Sequence, residues 1–163
     1  MSLSNAQWPS QPLPEPVKNL IAKFYACVDA PQDPNANFVL ATEVFVPIGT
    51  FTINQRVIQG RKEIENWRAS AASGNQVKVS VHTVEKVYNL DGQGGQVLTT
   101  GTLYLEMNGG QKATSVYAAR CLVDGVGSET PKIKEWQGWC DYMPYIMAGM
   151  FEAPRIYGDN EKS

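Results

Sequence analysis

The chain has 163 residues, 43% hydrophobic and 18% charged, which is enough for one ordinary domain with a buried core and too little for two. Fourteen basic against sixteen acidic side chains leave a net charge of −2 and a pI near 5.4, without the basic surplus that neutralising phosphates demands, so nucleic acid is excluded as an expected partner. No apolar run approaches the roughly 20 residues that cross a bilayer, and the start of the chain lacks the basic-then-apolar pattern of a signal peptide; a soluble, cytoplasmic protein is the expectation.

Residues 1–15, punctuated by Pro9, Pro12 and Pro14, read as an extended arm preceding a domain over 16–145 and a tail over 146–163. Pro16 suits the first turn of a helix, and Val17, Leu20, Ile21, Phe24 and Val28 then recur at helical spacing until Pro31 stops the run. Asp33 followed by Pro34 signals a second, short helix that carries Phe38, Val39 and Val44 inward. From Val44 to Ile58 the period changes to that of strands, with Pro47 and Gly49 expected to break the stretch in two. Gly60 opens a third helix over Arg61–Ala72, in which Ile64, Trp67, Arg68 and Ala71 share a face and Gly74 supplies the stop.

Beyond Gly74 come four β-rich runs, Val77–Leu90, Val97–Met107, Lys112–Val123 and Lys132–Tyr142, separated by links of hairpin length. Consecutive long strands so joined imply an antiparallel meander, and three helices beside it imply an α+β domain in which the sheet curls around their apolar faces. After Tyr142 the tail is mixed, with an apolar stretch over Met143–Phe151 and an end at Gly158–Ser163 expected to fray.

Cys27, Cys121 and Cys140 lie far apart with no CxxC pair, so they are expected to be reduced core thiols rather than a disulfide framework or a zinc cluster. No metal site is expected. His82 is the only histidine; strict alternation would place Ser80, His82, Val84, Lys86 and Tyr88 on one face of its strand. An imidazole titrates near neutrality and suits proton transfer, the alternative being an ordinary polar strand residue.

Three local patterns carry a family resemblance over Val17–Pro144: Phe24-Tyr25-Ala26-Cys27-Val28-Asp29 at the end of the first helix, Gly60-Arg61-Lys62-Glu63-Ile64-Glu65-Asn66-Trp67, and the last strand from Lys132-Ile133 to Trp139-Cys140-Asp141-Tyr142-Met143-Pro144. Together with element order, they resemble the SnoaL-like, nuclear transport factor 2-like superfamily. That resemblance implies a cone-shaped curved sheet around N-terminal-half helices, a deep apolar pocket, chemistry without an organic cofactor, and a homodimer formed through the outer sheet face.

The resemblance also implies roles. Asp29 matches the position where the fungal dehydratase branch keeps a catalytic aspartate, and His82 matches that branch's strand histidine. Trp139-Cys140-Asp141-Tyr142 is similar to the Trp-x-Asp-Tyr of limonene epoxide hydrolases, but Leu98-Thr99-Thr100-Gly101-Thr102 lacks their arginine and aspartate, so epoxide hydrolysis is not expected. General acid–base work by His82 with one carboxylate, Asp141 or Asp29, is the expected mechanism, with His82 and Asp141 expected to line the same cavity. Tyr25, Phe45, Phe51, Trp67, Tyr104, Tyr117 and Trp139 would form the substrate-binding wall, with Arg120 either a clamp or an outward residue. The functional expectation is a cofactor-free isomerase, cyclase or dehydratase of a small polycyclic or terpenoid-type secondary metabolite; the alternative is a non-catalytic binding or assembly domain of the same fold.

Overall fold

The computed structural model describes residues 3–69 and 76–152. Helix α1 (Glu15–Val28) starts with Pro16 in its first turn and Glu15 complementing the helix dipole, and buries Val17, Leu20, Ile21, Phe24, Tyr25 and Val28 along one stripe. It is followed by α2 (Ala36–Val39), a π-helical turn (Leu40–Val44), strands β1 (Phe45–Ile53) and β2 (Arg56–Gln59), helix α3 (Gly60–Glu65), strands β3 (Val77–Asn89), β4 (Gln96–Met107), β5 (Lys112–Asp124) and β6 (Lys132–Cys140), and helix α4 (Met143–Met147). The six strands form one curved, unclosed sheet in the order β2-β1-β6-β5-β4-β3. All neighbours run antiparallel except β1 and β6, a parallel pair that the meander expectation does not contain. The α+β class and the helices in the N-terminal half are as expected.

Three expectations need correction. Pro47 and Gly49 do not divide β1: the pairing with β6 jumps from Phe45↔Ile133 to Thr50↔Glu135, so both residues sit in an irregular stretch where a missing N–H costs no ladder bond. The break falls instead at Asn54, whose φ is 51°. Phe38 does not point inward; it is 49% exposed, because the π-helical turn shifts the phase and buries Leu40, Ala41 and Val44. Helix α3 is shorter than Arg61–Ala72, ending at Asn66, whose side-chain amide (2.8 Å) and backbone N–H (3.2 Å) both donate to Lys62 O and cap the last turn. Ala71, Gly74 and Gly158–Ser163 lie outside the described residues.

Strict alternation also fails within β3. Val84 and Val87, three apart, are both buried, because the register with β4 shifts between Val84 and Lys86. Gly101 faces that bulge, and a Cβ there would lie 1.9 Å from Thr83 O, so only glycine lets the two backbones approach. On the edge of β3 the arm adds a single parallel bridge, with Gln7 N–H donating to Glu85 O and Val87 N–H to Gln7 O. Phe24 anchors the space between α1 and the sheet: it stacks on Trp136 at 3.7 Å between ring centroids and meets Phe45 and Phe51 edge-on. Cys27 and Cys121 are buried among this core and Cys140 is half-buried; all three are free thiols. Among the described residues, no helix is long and apolar enough to cross a membrane.

Candidate active site

The last turn of α1 ends at Asp29, whose backbone N–H still donates to Tyr25 O (2.9 Å), and the side chain projects toward the edge of β3. A carboxylate at a helix C-terminus opposes the dipole and needs compensation. It finds it in β3: Ser80 Oγ donates to Oδ1 (3.3 Å), the His82 backbone N–H to Oδ2 (2.9 Å), and His82 Nδ1 lies 2.6 Å from Oδ1. Asp29 and His82, which are 53 residues apart, thus form a close pair, each side chain about one-sixth exposed, at 17% and 16%.

The imidazole sits between two tyrosine rings, Tyr25 at 5.2 Å and Tyr117 edge-on at 5.0 Å. Tyr117 Oη donates to Tyr25 Oη (3.0 Å), which shares a 2.6 Å hydrogen bond with Thr99 Oγ1. Burial pushes both phenols above their ordinary value, so they remain protonated hydrogen-bonding groups at neutral pH.

His82, Ser80, Tyr25 and Tyr117 line a cavity of about 670 Å³, whose remaining wall is largely apolar: Phe24, Phe51, Trp67, Leu103, Leu105, Trp136 and Trp139. Asp29 does not line it. With Ser80 and His82, it lines a second hollow on the other side of the pair, beside Leu3, Ala26 and Val81. The pair therefore forms part of the partition between the two spaces.

Of the residues singled out in the sequence, Asp29, His82, Tyr25 and Tyr117 come together, and Phe51, Trp67 and Trp139 share the cavity with them. Asp141 does not join His82. It is exposed, and its Oδ1 accepts the Met143 N–H (2.9 Å) at the start of α4, because β6 turns Cys140 rather than Asp141 toward the cavity. Phe45 is buried beneath the wall against Phe24 and Phe51 and does not line it. Tyr104 and Arg120 alternate with inward residues and lie on the outer face, where Tyr104 Oη donates to Glu106 and Arg120 pairs with Glu135 at 2.7 Å.

Other lining residues were not read from the sequence as site residues. Tyr142, Tyr145 and Ile146 reach the cavity from the region of α4, with Tyr145 Oη donating to Leu103 O (2.6 Å). Their signal was the apolar run after Tyr142. Arg56 and Arg68 also line the wall. Arg68 was placed on a helix face with Ile64 and Trp67, and that shared face was the signal of its inward position, although it was not read as a site residue.

No family model and no curated protein matches the chain. Solved structures do. An NTF2-like protein from Burkholderia thailandensis is 17% identical, with a TM-score of 0.60 over 84% of this chain and 98% of the other. A phenazine biosynthesis-related protein from Pseudomonas aeruginosa is 13% identical with a TM-score of 0.63, covering 89% and 87%. TerC, crystallised with polyporic acid, is 13% identical with a TM-score of 0.64, covering 82% and 98%. The curved sheet around N-terminal helices is thus the NTF2-like fold, in agreement with the SnoaL-like resemblance of the sequence.

Proposed function

We propose that this protein is a cofactor-free enzyme of the isomerase, cyclase or dehydratase class, acting by general acid–base catalysis on a small polycyclic or terpenoid-type secondary metabolite. The observation that carries the reading is the 2.6 Å Asp29–His82 pair in the wall of an apolar cavity. An imidazole that donates Nδ1–H to the carboxylate keeps Nε2 on the side away from Asp29, as a base. The ring would take a proton from a substrate carbon and return it to another carbon, which is isomerisation, or to a departing hydroxyl, which releases water. Asp29 would fix the ring's orientation and stabilise the charge it acquires. Tyr25 and Tyr117, kept protonated by burial, would hold a substrate oxygen. Biosynthetic and ligand-bound relatives of like fold add support for a small-molecule site. Asp141 takes no part in this reading.

The second reading is a non-catalytic binding domain. It is favoured by Asp29 accepting the His82 main-chain N–H and the Ser80 hydroxyl, since a purely structural tie between a helix end and an edge strand would look the same. Incubation with candidate ring-containing metabolites separates the two. An isomerase or cyclase changes chromatographic retention at constant mass, and a dehydratase removes about 18 Da, one water. His82→Ala and Asp29→Asn should each lower that turnover roughly 10²–10⁴-fold while ligand binding persists. Tight binding without turnover of any candidate would establish the binder.

A further inference from the structure

Arg68 is only 8% exposed, yet it reaches the surface of the main cavity. Its recorded hydrogen-bond partners are neutral: Nη1 donates to Asn37 Oδ1 (2.9 Å) and Nη2 to Val28 O (2.5 Å), while the guanidinium stacks over the Trp67 ring at 4.4 Å. Asn37 Oδ1 is shared, since it also accepts Trp67 Nε1–H (3.0 Å). A guanidinium has more N–H groups than these acceptors use. Burying such a cation is costly unless an anion compensates it. Among the described residues, Arg68 has no carboxylate at ion-pair distance. Asp29 acts on it through space, but its oxygens are engaged by Ser80 and His82. Glu152 lines the same cavity from an exposed position. Desolvation lowers the Arg68 guanidinium to about 10, so it is still charged at neutral pH.

A second arginine lines the same cavity. Arg56 Nη2 donates to Trp67 O (2.9 Å), so the two arginines flank one residue, stacked on its ring and bonded to its carbonyl respectively. Capping Val28 O explains one of Arg68's hydrogen bonds. It does not explain why two arginines, both held on Trp67, line an otherwise largely apolar cavity.

We propose that Arg68 and Arg56 form an anion subsite, and that the ligand bears a planar anionic oxygen group, a carboxylate or an equally acidic enol, on an otherwise apolar ring body. This deepens the proposed function by naming the substrate class, and rests on that reading only in taking the cavity as the ligand site. Planar guanidinium forks match such groups in two parallel hydrogen bonds, whereas the same forks gain little from a neutral amide.

The test uses two probes of one shape, naphthalene-2-carboxylate and 2-naphthamide, titrated into the whole protein by calorimetry. The unmodified protein should bind the carboxylate at least about tenfold more tightly than the amide. In Arg56→Gln and Arg68→Gln the preference should fall toward parity, with affinity for the amide unchanged; melting curves identify any variant that has lost its fold, and Arg56→Gln leaves the Val28 cap intact. Equal affinity of the unmodified protein for both probes overturns the subsite while leaving the acid–base pair standing. A carboxylate preference that survives in folded Arg56→Gln and Arg68→Gln overturns it as well. Binding of neither probe overturns it together with the reading of the cavity.

Discussion

Asp29→Ala removes the acceptor of the Ser80 hydroxyl, the His82 backbone N–H and the His82 ring in one step. Strand β3 is the sheet edge, and His82 is one of its residues whose N–H is bonded to a side chain rather than to β4. Orphaning a partly buried backbone donor costs about 1–3 kcal/mol, and a hydrogen bond to a charged group contributes about 1.5–3 kcal/mol. Both side chains are about one-sixth exposed, at 17% and 16%, so water recovers part of this. The expected loss is about 2–4 kcal/mol for Asp29→Ala, and about 1 kcal/mol for Asp29→Asn, which keeps an oxygen for the backbone N–H. Urea denaturation with linear extrapolation measures both values. Because His82 is the only histidine, nitrogen NMR reads its tautomer without ambiguity. The native ring, when neutral, should carry its proton on Nδ1, and Asp29→Asn should move population to Nε2. An Asp29→Ala loss below about 0.5 kcal/mol together with an unchanged tautomer would refute the pairing on which the site is built.

Phe24→Ala should cost about 3–5 kcal/mol in the same denaturation assay, since the ring fills the junction of α1 with Trp136, Phe45 and Phe51; a loss under about 1 kcal/mol would mean that this junction can collapse. Tyr25 and Tyr117 have folded-state ionisation raised by burial, so their contribution is complete below the unfolded value near 10 and is lost as pH rises above it. Stability should therefore fall by about 1.4 kcal/mol per pH unit per tyrosine above roughly pH 10, and equal melting temperatures at about pH 9 and 11 would contradict their burial. Exposed Val57, Val81 and Val116 on the outer side of the sheet favour a homodimer; light scattering should give about twice 18.0 kDa, and a monomer at tens of micromolar would count against it.

Much of this architecture was legible in the sequence because its signals are local. The apolar stripe of α1, the turn residues between the last four strands and their β-branched content each arise from neighbouring residues, and the strand limits fall close to the expected ones. What was not legible depends on non-local pairing. The bulge that buries Val84 with Val87 exists because Gly101 faces it from another strand, and Pro47 is tolerated because β6 skips that stretch. The same limit applies to the site. His82 and Asp29 were marked by residue type and by resemblance, but their pairing needs the end of α1 to meet the edge of β3 across 53 residues. Asp141 stood ahead of Asp29 as the partner of His82 in the sequence, but it falls just past the end of β6, where it caps the start of α4 and does not line the cavity. Arg68 shared a helix face with Ile64 and Trp67 in the sequence, but its charge argued against a place in an apolar cavity, and Arg56 carried no pattern at all.

The acid–base claim can be tested without knowing the natural product. A panel of small ring-containing ketones and enols that bind the cavity is incubated in deuterium oxide, and deuterium entry at carbon is followed by mass spectrometry. The protein should exchange at least one bound compound well above the buffer rate, and His82→Ala, still folded and still binding, should lower that rate by roughly 10²–10⁴-fold. Exchange that is absent for every bound compound, or that proceeds equally in His82→Ala, would contradict proton transfer by His82 and leave a cavity that only binds.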